Sequence, residues 1–321
     1  MRSLSLLILL SLTFLCPTFG EDSPQFVSYQ EGFHRIFPAN PEVKVVVDSE
    51  RDGKPLRMTE GPSWLGGTLF FSDQPRGLHA LRPDGTWSQI NFQGWTCGTA
   101  PLKNGNLAVC YVESTTVVEM SPEGTILRTL IGKMDGAKLF GNPNDITADS
   151  KGGLYVTITP FFGKDAPKNT AVIYRKPSGD TIMVSGKNEY DFPNGCCLSP
   201  DERVFYLNDG GTFTVWAFDV MADGSLGNRR AFAEMKAPPD ADEADRNPKN
   251  SGADGMTCDS TGTVYVTSRF GLHVFSKDGT AHGLVTFHAQ PSNCTFGGVD
   301  MKTLFVTCRS KIYAIRTLTG G

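Results

Sequence analysis

Four side chains stand out for the chemistry they could do: Glu60, Asn144, Asn194 and Asp254. They occur in "EGPSWLGGTLFFSD", "NPNDITADSKGGLYVT", "PNGCCLSPDERVFYLND" and "ADGMTCDSTGTVYVTS", each ahead of a short apolar run. Two carboxylates and two amides offer hard oxygen donors. Such a set suits Ca²⁺ or Mg²⁺, and also Mn²⁺. The two acids would balance a divalent charge. The five histidines are scattered, and no HExxH or CxxC occurs, so no zinc spacing is present. Taken singly, Asn-Asp, Asn-Gly and Asp-Gly read as plain turns. Glu60 before Gly61-Pro62 gains little as a turn former. The case rests on the four residues sharing one phase of a repeat.

That repeat is visible along the whole chain. Helical periodicity is nearly absent. Runs such as "GTLFFSD", "GNLAVCYV", "GGLYVTI", "RVFYLND", "GTVYVTS" and "KTLFVTC" read as strands between Gly, Asp, Asn and Pro. Each is followed by a second strand, and these end in "PDG", "PEG", "PSG", "ADG" or "KDG" in all units but the last, the signature of hairpin turns. The units begin at Glu60-Gly61-Pro62, Thr96-Cys97-Gly98, Asn144-Asp145, Asn194-Gly195, Asp254-Gly255 and Asn293-Cys294. Steps of about 36 to 60 residues, all strand, predict propeller blades. The expected fold is an all-β, six-bladed β-propeller formed by residues 21–321 as one domain. Residues 25–59, with "VKVVVDS", are expected to close the last blade and hide its edge. The apolar runs are read as the innermost strands. Residues that lead into them then converge on the central channel, far apart as they are in sequence.

Other readings are weaker. The chain lacks a GxSxG elbow and a P-loop. Cys97 in "GWTCG" could be a nucleophile, but no histidine can be placed beside it, and a core cysteine reads better. A net charge of -4 without a basic run argues against nucleic acid as partner. Residues 1–20, with an early arginine and a leucine-rich run, read as a secretory signal peptide cleaved after Gly20, so export to the periplasm or medium is expected. Leu15 is too bulky for a lipidation site at Cys16. No later segment is apolar enough to span a bilayer. Seven cysteines remain, most beside apolar runs, and read as core residues. The segments 160–171 and 234–253 break the rhythm and read as loops on a face of the disc. Asn293-Cys294-Thr295 fits a glycosylation triplet at a position that reads as buried.

At these motifs the chain resembles the gluconolactonase, senescence marker protein (regucalcin) and luciferin-regenerating-like family. The carriers are "EGPSWLGGTLFFSDQP", "NPNDITADSKGGLYVT", "FPNGCCLSPDERVFYLND", "GADGMTCDSTGTVYVTSRFGLHVFSKDG" and "PSNCTFGGVDMKTLFVTC". The resemblance implies one divalent metal in the channel, Ca²⁺ first, with Mg²⁺, Mn²⁺ or Zn²⁺ as alternatives. It assigns Glu60, Asn194 and Asp254 as ligands and Asn144 as a fourth, which in some members touches substrate or a metal-bound water instead; Asp254 is the expected catalytic base. The implied reaction opens a small sugar lactone to the aldonic acid. Asn142, Lys138 and Asp145 are the residues expected near substrate. Asp145 is either a turn former or an acid behind the metal. Lys138 is the only cation close before the "ND" turn. The segments "TCG", "YVES" and "TPFFG" differ from the family's usual rim. Two other readings stand beside this one: hydrolysis of another lactone or a phosphotriester-like ester, and an exported propeller that binds a sugar or a protein without catalysis.

Overall fold

The computed structural model describes residues 23–161, 168–238, 241 and 251–321. The expected signal peptide with Cys16 lies outside the described residues, as do the middles of both long loops. Six antiparallel sheets form the body of the chain. Their innermost strands are Thr59–Leu65, Thr96–Pro101, Asn142–Ala148, Pro193–Leu198, Met256–Cys258 and Asn293–Gly297. Each contacts the next, and the sixth contacts the first, so the ring closes. This is a six-bladed β-propeller.

The apolar runs form the second strand of each blade, not the innermost as the sequence suggested. They are Thr68–Asp73, Leu107–Tyr111, Leu154–Thr159, Val204–Asp209, Val264–Ser268 and Thr303–Cys308. Nearly every residue in them is buried. A strand covered on both faces by neighbouring blades carries apolar side chains on both faces, which makes the run continuous. The innermost strands are less apolar because one side meets the channel. Their first residues are the ones whose types suggest turns in the sequence.

The core is divided into six sectors, each between two blades. Phe70, Leu78, Val109 and Val118 fill the first gap. Cys110, Ile146, Val156 and Ile173 fill the second. Tyr155, Tyr174, Phe205 and Phe218 fill the third, where the two tyrosine rings stack at 4.4 Å. Val47, Leu69, Phe71 and Phe305 bridge the sixth blade to the first. Burying each such side chain contributes about 1.5–3 kcal/mol, so every gap is stabilised separately. All seven described cysteines are free thiols, and only Cys258 is not fully buried.

The segment 25–59 divides between two blades. Val43–Asp48 pairs with Lys311–Arg316 as the outermost strand of the sixth blade. Gln25–Ser28 instead pairs with Ala281–Thr286 and gives the fifth blade a fifth strand. A short hairpin, Lys133–Met134 with Ala137–Lys138, follows the second blade. Among the described residues no helix is long and apolar enough to cross a membrane.

Candidate metal and active site

One end of the channel holds a cavity of about 350 Å³ lined by Glu60, Asn144, Asn194 and Asp254. These side chains come from the first, third, fourth and fifth blades. Met58, Gln74, Trp95, Cys97, Val112, Thr159 and Phe192 complete the wall.

Local backbone irregularity aims Glu60, Asn144 and Asn194. Pairing to the second strand slips between Glu60 and Ser63, between Thr96 and Thr99, between Pro143 and Ile146, and between Pro193 and Cys196. Such bulges interrupt the in-out alternation and re-aim side chains. At the third blade two successive residues therefore face the channel. Asn144 lines the upper cavity, and Asp145 lines a second cavity of about 340 Å³ further along the strands. Gly61 sits in the bulge with φ +47°, and a Cβ there would lie 2.2 Å from the Cys97 carbonyl oxygen. The Glu-Gly pair is thus a close approach of two inner strands.

Two aspartates at second-strand ends hold the preceding loops. Asp73 Oδ1 accepts the N–H of Arg57 (2.8 Å) and Met58 (3.0 Å). Asp209 accepts the N–H of Asp191 (3.0 Å) and Phe192 (2.8 Å). The loops that deliver Glu60 and Asn194 are pinned in this way.

Glu60 is 3% exposed. Its Oε2 accepts the Gly61 N–H and, at 3.0 Å, the side-chain amide of Asn293. Burial, reinforced by the negative charge of Asp254, pushes the Glu60 carboxyl well up, and the two carboxyls are hydrogen-bonded. Burial also pushes Asp254 up; its bonds to Glu60 and Asn194 and the positive charge of Arg309 oppose this. Asp145 is pushed up to about 7 by burial and then by the charge of Glu60. Cys97 is held as a thiol by burial and the same charge. Its Sγ accepts from Gln74 Nε2 at 3.0 Å and donates to Asn144 Oδ1 at 3.4 Å. That environment suits a wall residue and opposes a thiolate nucleophile.

Among the described residues no three His, Cys, Asp or Glu side chains form a metal cluster. The donor set here is two acids and two amides. Asn194 Nδ2 donates to Asp254 Oδ1 at 2.8 Å, while Asn194 Oδ1 is buried without a hydrogen-bond partner. A buried, unpaired carbonyl oxygen beside two crowded carboxyls is costly. A hard cation would relieve both, so these residues fit one.

Residues 58–310 match the family described as SMP-30/Gluconolactonase/LRE-like region. The chain belongs to that family. It is 25% identical over 294 residues to the gluconolactonase of Zymomonas mobilis, covering 83% of this chain and 80% of the relative. It is 26% identical over 196 residues to the regucalcin of Gallus gallus, covering 57% and 60%. Among solved structures, a gluconolactonase from Xanthomonas campestris superposes with TM-score 0.76 at 24% identity, covering 91% of this chain and 94% of that one. A calcium-binding regucalcin from Agrobacterium tumefaciens superposes with TM-score 0.67 at 16% identity, covering 88% and 95%. Both structural likenesses concern the fold.

Within this SMP-30/gluconolactonase-like propeller, the substrate residues expected from sequence lie apart from the upper cavity. Asn142 is buried and donates to the Pro160 carbonyl at 3.0 Å, a loop contact. Lys138 is exposed on the extra hairpin. Asp145 lines the other cavity and accepts the Cys196 N–H at 3.1 Å. The cation that acts on Asp254 is Arg309, from the sixth blade, whose Nη1 lies 3.2 Å from Met58 Sδ. Gln74, Trp95 and Phe192 come from loops, where no repeat phase marks them.

Proposed function

We propose that this protein is a metal-dependent lactonase that opens a cyclic ester, a sugar lactone in the first instance, to its hydroxy acid. The observation that carries the reading is the convergence of Glu60, Asn144, Asn194 and Asp254 on one cavity, with the Asn194 carbonyl oxygen unpaired. The family and its gluconolactonase relative support the same reaction. Ca²⁺ is the first expectation for the ion, in keeping with the calcium-binding regucalcin of Agrobacterium tumefaciens.

A bound divalent cation would polarise the lactone carbonyl and stabilise negative charge that develops on its oxygen. The chain's own residues supply the rest. Asp254 is partly open to the cavity and has a raised proton affinity, which suits a general base near neutral pH. It takes one proton from water as the water oxygen bonds to the carbonyl carbon. It returns that proton to the ring oxygen as the carbon–oxygen bond breaks. Asn194 holds Asp254 Oδ1 through its amide. Trp95, Val112 and Phe192 limit the water that surrounds the reacting ester.

The same wall favours one refinement. Met58, Trp95, Val112 and Phe192 give the cavity an apolar side, which suits a lactone with an apolar substituent better than a fully hydroxylated one. The test is a panel of gluconolactone and alkyl-substituted lactones. Turnover should vanish on chelation and return with Ca²⁺, Mg²⁺, Mn²⁺ or Zn²⁺. No hydrolysis of any lactone with any of these ions would overturn the proposal. Equal rates on both lactone types would overturn the refinement alone.

A further inference from the structure

We infer that Asn293 is a positioning residue for the metal site, a strut from the sixth blade that fixes the orientation of Glu60. The inference rests on the metal-dependent reading above. Asn293 heads the inner strand Asn293–Gly297 and is 5% exposed. Its Oδ1 accepts the Cys294 N–H at 2.8 Å. That bond sets the amide's direction and turns its NH₂ toward the channel. There Nδ2 donates to Glu60 Oε2 at 3.0 Å, and the same amide slightly favours the charged form of Asp145. The amide thereby ties the sixth blade to the first. Both neutral donors on Glu60 sit on Oε2, which leaves Oε1 free of them.

A separate observation shows that the strut has a built seat. A Cβ added to Gly255 would fall 1.8 Å from Asn293 Cγ. The residue next to Asp254 has no side chain where the amide passes. The Gly255 N–H also bonds to the Ser292 carbonyl at 2.6 Å, which locks the fifth inner strand to the sixth at this point. Asn293 opens the Asn-Cys-Thr triplet, yet burial and these bonds leave its nitrogen no room for a glycan in the fold. Its role is internal. Groups that orient metal ligands from behind are worth about 10–100-fold in metal affinity.

The test is Ca²⁺ and Mn²⁺ titration calorimetry on the full chain, alongside the melting temperature of the chelated protein. Asn293→Leu keeps the branched heavy-atom shape and removes the donors. It should weaken both ions about 10–100-fold with the chelated protein still folded. Asn293→Ser and Gly255→Ala, which displaces the amide without touching a ligand, should weaken them in the same direction. Affinities within about twofold of wild type in a folded variant would overturn the inference. So would the failure of all three to fold, because a positioning role requires a folded metal-free protein. Wild type that binds neither ion would instead overturn the metal reading itself.

Discussion

The two cavities of the channel are built by the same inner strands and differ in kind. The first residues of the strands present Glu60, Asn144, Asn194 and Asp254. A few residues further on, the same strands present Thr99, Ala148, Cys196, Cys197, Thr257 and Cys294, with Asp145 as the acid. The upper set contains an unpaired oxygen and two carboxyls in contact. The lower acid accepts the Cys196 N–H at 3.1 Å. The difference teaches that the propeller supplies a ring of positions, while the bulges decide which positions become a site.

The comparison can be broken most sharply at Asp254. Asp254→Asn should lower kcat/KM for lactone by at least about 10³-fold, a loss of about 4 kcal/mol in transition-state stabilisation, with circular dichroism unchanged. If Cys197→Ala at the lower cavity did this and Asp254→Asn did not, the roles of the two ends would be reversed. Next, Glu60→Gln should weaken Ca²⁺ binding by about 100-fold or more, since it removes one of two balancing charges; calorimetry reads this directly.

A third outcome concerns pH. In the chelated protein Asp145 keeps its proton to about 7, while its unfolded counterpart has lost it above the ordinary 3.8. Stability from this group is therefore full below that ordinary value and is lost as pH rises to about 7. Burial of Glu60 and Asp254 acts in the same direction. The melting temperature of chelated protein should fall by several degrees from pH 5 to 8. Saturating Ca²⁺ should raise it more at pH 8 than at pH 5. A pH-independent increment would separate the ion from these acids. The smallest effect belongs to Cys197→Ala. It should cost roughly 1 kcal/mol from a small cavity and leave turnover within about twofold.

Much of this is legible in the sequence. Six units, the hairpin turns and the shared phase of Glu60, Asn144, Asn194 and Asp254 follow from repetition, and the four do line one cavity. The placement of Glu60, Asn144 and Asn194 inside strands is not legible, because a bulge is set by the register to the next strand and leaves no mark in residue type. The same cause hides that Asn144 and Asp145 line two different cavities of the channel. Arg309 is invisible at that level because it lies far from Asp254 along the chain and meets it only through the sixth blade. Asn293 shares the phase of the four, but its triplet reads equally well as a sequon in a buried turn. Its hydrogen bond to Glu60 exists only when the ring is closed.

That closure has a kinetic consequence. Val43–Asp48 completes the blade formed by the last strands of the chain, and the Thr59 N–H bonds to the Arg309 carbonyl at 2.7 Å. Glu60 therefore reaches its place only when the two ends of the ring have met, late in folding and across a long loop. An ion held between Glu60 and Asp254 would then act as a clasp across the seam. It should slow the first step of unfolding more than it speeds refolding, and it would make the protein's lifetime depend on the supply of metal around it.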